Sequence, residues 1–410
     1  MFEKPEKGRV VTITEEQRLS EAAAWFVESA RRTRIDRAYA SRVAGAPGRG
    51  EAPVAAAQIA AAAVDVLGGL VSTAVRHKGW TPVDLREIVR RRARRDDVAL
   101  LADLVIAETA RHPDERVVPR WRREVDDLGS SRPDDLRSPS GLASALRLAG
   151  ALDHLPALPR TLPAPGSADA SAADPSAVGS SASTARHTHR VRALLAKAES
   201  TDHPEEAEAL SAKAQELVSR YALDRLLAEG GTPSAATLRR IWIDAPHVSA
   251  KALLVDRVAR ANGCRVALSE TLGFASVVGA PSDVDAVGVM AVSLLAQAES
   301  AALACGARRD RDGTVRTASF RRSFLLAYAA RVGERLAAAS RGAAAADPRA
   351  ADLVVVMSLR DRAAEEALVS IFGSLHERTT SVRSLDGWAA GRAAADTARF
   401  GGRDALGAAR

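Results

Sequence analysis

Between Arg186 and Asp224 the apolar residues recur at helical spacing, which makes this the most constraining stretch of the chain. Val191, Leu194, Leu195 and Ala198 fall at i, i+3, i+4 and i+7, one stripe of a 3.6-residue period. Ala207, Leu210, Ala214, Leu217 and Tyr221 alternate steps of three and four, the seam of a second packed helix. Glu205, Glu206, Glu208, Lys213, Glu216 and Arg220 lie off that seam, as a solvated face would. The break between the helices carries its own signals. Ser200, Thr201 and Asp202 are good caps, Asp202 with Glu205 reads as a capping box, and Pro204 sits in a first turn. Asp224 can cap a short third turn that Gly230 and Gly231 end. The pattern predicts a helical hairpin over 186–231 with one apolar side. A unit of about 40 residues cannot bury enough surface alone, so that side must pack on another part of the chain.

Leu194, Leu195, Lys197, Ala198, Ser200, Thr201, Glu206, Ala207, Lys213, Ala214, Leu217, Tyr221, Leu223 and Asp224 resemble the pattern of a bacterial and phage family, domain of unknown function 2786. The resemblance implies a fold element and no assigned activity. The region that follows resembles the domain that commonly accompanies this hairpin. That likeness rests on Gly279 with Ser282, Asp283 and Val284, on Arg321, Arg322, Ser323 and Phe324, and on Gly387 to Gly391.

Upstream, residues 1–53 hold a helix from Glu15 to about Ala44 and then a Gly/Pro linker. Residues 54–155 read as an arginine-rich helical unit. A long alanine-rich helix ends near His77, and Lys78 and Gly79 make a turn. Thr81, Pro82 and Asp84 open a helix carrying Arg86, Arg90, Arg91, Arg92, Arg94 and Arg95. A third helix with Leu100, Leu101, Leu104 and Val105 follows, with Trp121 and Leu128 folding back on it. Helix, glycine turn and basic helix is the outline of a helix-turn-helix, with Arg90/Arg94 and Arg91/Arg95 as phosphate-facing rows. Residues 129–155 are weakly structured apart from a short helix at 141–152. The Pro/Ala/Ser-rich stretch 156–185 reads as a disordered linker.

Residues 232–410 change to an α+β pattern. Strands are expected at Leu238–Ile243, Cys264–Leu268, Gly273–Val278 and Leu353–Met357. Helices are expected from Ser249 to Asn262, Pro281 to about Ala304 (capped by Ser282), Ser319 to about Ala339, up to Phe372, and Leu385 to about Phe400. The fold class is therefore mainly α with a smaller α+β C-terminal domain: a helical N-terminal unit, a disordered linker, and a hairpin packed on the α+β domain.

Composition narrows the function classes. The 410 residues are 47% hydrophobic but only 4% aromatic, which favours closely packed helices over a sandwich. The formal net charge of +7 favours acidic partners, nucleic acid first. Arginine with abundant alanine is also what a GC-rich genome writes, so the charge alone does not decide. Cys264 and Cys305 are too few for a disulfide framework or a metal site and fit a reducing cytoplasm. Met1 to Val10 lacks the apolar core of a signal peptide, and the run 54–75 reads as a buried soluble helix, so no membrane partner is expected.

No motif assigns a reaction, so enzyme status stays open. The turn Val278–Asp283 meets a helix N-terminus but lacks a P-loop lysine, and Asp283 and Asp285 would repel a phosphate. His187, His189 and His203 fit no zinc spacing, so no metal and no cofactor is expected. Cys264 has no local base and reads as a small buried hydrophobe. Arg316, Arg321 and Arg322 surround Phe320 and Phe324, and basic residues among aromatics can hold a nucleic-acid strand. Those phenylalanines also fall on an apolar helix stripe. The candidate nucleic-acid residues are thus Arg90, Arg91, Arg94, Arg95, Arg316, Arg321 and Arg322, with DNA or RNA as partner. A protein-interaction or scaffold module is the alternative, and an enzyme of unrecognised type the third reading.

Overall fold

The computed structural model describes residues 15–36, 38–45, 55–129, 133–168, 235–309, 315–345, 350–376 and 380–398, with a few separate positions between 189 and 217. The chain forms two compact units, Met1–Asp174 and Pro175–Arg410. The architecture is mainly α, with one small antiparallel sheet in the second unit.

The first unit holds α1 (Glu15–Ile35), α2 (Tyr39–Ala44), α3 (Ala56–Arg76), α4 (Pro82–Arg92), α5 (Asp97–Ala110), α6 (Pro119–Asp126) and α7 (Pro139–Leu152). The expected helix from Glu15 to Ala44 is two helices, α1 and α2. The α3–α4 turn follows the local chemistry. Gly79 takes φ +70°, and a Cβ there would lie 2.3 Å from the Leu158 carbonyl oxygen, so only glycine fits. Thr81 and Asp84 form the expected capping box, with Pro82 in the first turn.

Helix α7 is the centre of this unit. It touches α1, α2, α3, α4 and α5, and most of its residues are buried. Gly150 lets α1 approach, since a Cβ there would meet the Ala30 carbonyl oxygen at 2.8 Å. Asp97 lies fully buried beneath it, held by Arg147 through two bonds (2.9 and 2.7 Å) and by Ser144 (2.7 Å). The expectation of weak structure around this helix underrates it, because small residues carry little sequence signal yet pack closely. The expected linker also starts too early. Leu162 and Ala164 are buried, the Leu158 N–H donates to the Lys78 carbonyl (2.8 Å), and the Trp80 indole donates to the Pro156 carbonyl (2.9 Å). Residues 156–168 therefore belong to the helical unit.

The second unit is built on a three-stranded sheet of order β1–β3–β2, with β1 (Thr237–Trp242), β2 (Arg265–Ser269) and β3 (Phe274–Gly279) all antiparallel. Its helices are α8 (Val248–Ala261), α9 (Pro281–Ala304), α10 (Thr317–Ala345), α11 (Ala350–Phe372) and α12 (Leu385–Asp396). The central strand β3 is buried along its whole length. One sheet face, with Ile241, Ala275 and Val277, joins α8, α9 and α10 in the main core. The other face, with Leu238, Ala267 and Val278, receives Leu368, Ala367, Ile371 and Phe372 of α11. Phe320, Phe324, Tyr328 and Val332 all point into the main core, as their helical spacing predicts.

Two expectations are corrected here. Leu353–Met357 is helical, the early part of α11, although its β-branched run suggests a strand. A buried ion pair from Arg360 to Asp283 (2.9 Å) ties this helix to the start of α9, and that tertiary anchor overrides local propensity. The cap of α9 is Ala280 with Pro281 behind it. Ser282 instead bonds the Asp283 carboxylate (3.3 Å).

Most of the predicted hairpin lies outside the described residues. Its described seam positions, Leu194 and Leu217, are half-buried against the main core of the second unit. Lys213 and Glu216, predicted off the seam, pair with each other at 2.7 Å. Helices α3 and α9 are each long and apolar enough to cross a membrane, and each buries one face in its own unit's core.

Candidate nucleic-acid interface

The first basic group is not the pair of rows that the sequence suggests. Helix α4 stops at Arg92, and Ala93 leaves the helical conformation (φ −117°, ψ −145°). The buried Asp97 draws the chain aside by accepting the Arg94 backbone N–H (2.9 Å). Arg94 and Arg95 therefore lie beyond the helix, exposed, and do not continue the lines of Arg90 and Arg91. Glu87, itself half-buried, gathers the neighbouring charge. It pairs with Arg90 at 3.1 Å, with Arg91, and with Arg86 at 3.7 Å. Arg86 also donates to the Asp127 carbonyl (3.1 Å). Arg92 is partly buried, and desolvation, with Arg34 nearby, pushes its pKa down.

The second basic group is assembled by topology. Helix α8 packs along α10, and Gly333 sits against the Arg257 side chain. The residue that opens α8, His247, lies close enough to the start of α10 for its imidazole to feel Arg322 and Arg321. Burial, then Lys251, Arg322 and Arg321, push its pKa below the ordinary histidine value. His247 takes a left-handed conformation (φ 67°, ψ 33°), which is strained for a residue with a Cβ. Its carbonyl accepts the Ala250 and Lys251 N–H groups (3.0 and 3.1 Å), so the helix itself holds it there.

Lys251 is buried. Its ammonium donates to the Asp244 carbonyl (2.7 Å) and pairs with Glu299. Arg321 and Arg322 are half-buried, and neither has a carboxylate partner among the described residues. Arg322 donates to the Ser381 carbonyl (2.9 Å), while the buried Nε of Arg321 has no hydrogen-bond partner among the described residues. Arg316 is exposed one turn before them, and Arg308 lies over the Phe320 ring at 4.9 Å. Phe320 and Phe324 are buried, so their rings are core and not a stacking platform. The structure thus brings Arg321 and Arg322 together with His247 and Lys251. Neither His247 nor Lys251 stands out in the sequence, because only the packing of α8 on α10 makes them neighbours.

Other candidate chemistry takes structural roles. The Cys264 thiol is fully buried, and burial with Asp283 nearby pushes its pKa up. Among the described residues no group of three or more His, Cys, Asp and Glu side chains is placed to hold a metal; His189 is exposed, and His187 and His203 lie outside the described residues.

The segment that supplies Leu194 and Leu217 to the core decides what the chain resembles. Residues 188–225 match the family model described as protein of unknown function, DUF2786. An α+β domain follows this DUF2786 segment, as the resemblance leads one to expect. The residues on which the likeness beyond it rests are packing devices. A Cβ on Gly279 would lie 2.5 Å from Cys264 Sγ, and Cβ atoms on Gly387 and Gly391 would lie 2.5 and 2.2 Å from the Phe320 and Phe324 carbonyl oxygens. Ser323 accepts the Arg383 and Ser384 N–H groups (3.1 and 3.0 Å). No curated protein and no solved structure matches the chain.

Proposed function

We propose that the protein binds nucleic acid through phosphate contacts made by Arg321 and Arg322, with His247 and Arg316 beside them. The observation that carries this reading is that Arg321 and Arg322 lie near enough to His247 to lower its pKa, and neither has a carboxylate partner among the described residues. Arg321 also holds a buried, unsatisfied donor, which an anion would satisfy. Strain stored at His247 is of the kind kept at working sites. Such contacts are sequence-independent and weaken steeply with salt.

The test is fluorescence anisotropy with generic DNA and RNA oligonucleotides at about 50 mM and about 200 mM salt. Binding should appear at micromolar protein and low salt, and the double variant Arg321→Ala, Arg322→Ala should lose it. Absence of binding, or binding that the double variant leaves unchanged, contradicts the reading.

A second reading is a protein-interaction module. The exposed apolar side chains of Val354, Val355, Leu359 and Val369 on α11 favour it. A protein that fails to bind nucleic acid and co-purifies with a partner lost on Val355→Glu would establish it instead.

A further inference from the structure

The first unit contains a feature that its own packing does not explain. Gly68 and Gly69 sit in the middle of α3, and glycine is among the least favourable residues in a helix interior. Elsewhere in the unit glycine has a reason, as Gly79 and Gly150 show. At Gly68 and Gly69 an added Cβ would meet no atom within 4 Å. The two glycines deepen a groove between α3 and α5 of about 300 Å³, walled by Val64, Asp65, Leu104 and Ala107. At its end the buried Glu108 carboxylate accepts bonds from Ser72 (3.1 Å) and Arg111 (2.9 Å), so it is already satisfied. Val64, one of its walls, exposes 49% of its surface.

We propose that this groove is the interface of a two-fold dimer, in which α3 of a second copy lies antiparallel on α3. Ala61, Asp65, Gly68, Ser72 and Arg76 follow one another at steps of four and three along α3, and so share a face. A two-fold axis between Gly68 and Gly69 brings the backbones together where no side chain intervenes, and helix separation depends on the side chains at the crossing. The same axis sets Asp65 opposite Ser72 of the second copy and within one turn of its Arg76. Asp65 and Arg76 are exposed, and neither has an ion-pair partner among the described residues. The face is thus complementary to itself in charge as well as shape, which is what an isologous interface requires. Docking would also cover Val64.

Sedimentation velocity of the full chain over a range of micromolar concentrations tests this. The wild type should sediment as a dimer. Gly68→Leu fills the groove from a position with open space around it, so its circular dichroism should be unchanged while its dimer is lost. Asp65→Arg and Arg76→Asp should each weaken the dimer by about tenfold or more, and the double exchange should restore it. The charge exchange decides the matter even if Gly68→Leu fails to fold. A wild-type monomer at every concentration, a dimer indifferent to these variants, or a double exchange that restores nothing would overturn the proposal.

Discussion

Two arginine clusters of the same chain have different fates. On α4 the arginines surround a half-buried glutamate, and the helix ends before the row can extend. At the start of α10, Arg321 and Arg322 lie near further positive charge and have no carboxylate partner among the described residues. A run of arginines in the sequence is therefore not yet an anion site. What matters is whether the fold supplies the counter-charge itself. On α4, Arg86, Arg90 and Arg91 share the single carboxylate of Glu87, whereas Ser381 offers Arg322 only a neutral carbonyl. On α10 no such carboxylate engages Arg321 or Arg322 among the described residues.

The comparison is broken most severely where a buried carboxylate is taken away from its arginine. Asp97→Ala in the first unit and Asp283→Ala in the second each strand such a guanidinium, Arg147 or Arg360. Each should cost on the order of 3–5 kcal/mol in urea unfolding. A loss below about 1 kcal/mol would mean that these pairs do not anchor α7 and α11. A smaller effect is expected at the α10–α12 contact. Gly391→Ala puts a Cβ 2.2 Å from the Phe324 carbonyl oxygen and should cost about 1–3 kcal/mol. An unchanged melting temperature would show that α12 shifts freely.

These positions also show what was legible in the sequence. Large apolar residues at helical spacing located α5 and the buried face of α10, while an alanine-rich run located α3 and the Pro281 start located α9. The Thr81 capping box and the Gly79 turn were equally plain, since their chemistry is local. The central position of α7 was not, because Gly141, Ala145, Ala149 and Gly150 act by letting backbones approach. Residues 156–168 read as linker for a related reason. Proline and alanine look disordered until Trp80 and Lys78 are known to lie across from them. In the basic site, Arg321 and Arg322 were legible as charges, while His247 and Lys251 needed the contact between α8 and α10.

The smallest effect expected is on pH dependence. The pKa of free His247 lies below the ordinary value because burial and the charges of Lys251, Arg322 and Arg321 disfavour its proton. Asp244 precedes it in the chain, and Glu299 is already engaged by Lys251. A bound phosphate would raise the His247 pKa. The complex then binds more protons than the free protein, so affinity should rise as pH falls from about 7.5 to about 6. A gain of a few-fold is expected, and His247→Ala should flatten the profile. Affinity that falls on acidification would place His247 outside the site.

The most direct measurement compares the two arginine pairs in one anisotropy titration with a generic oligonucleotide. Arg321→Ala with Arg322→Ala should reduce affinity at least about tenfold and lower the slope of log affinity against log salt by about one per arginine. Arg90→Ala with Arg91→Ala should leave both almost unchanged, because Glu87 already holds those side chains. Equal losses from the two pairs, or a loss only from the α4 pair, would contradict the account.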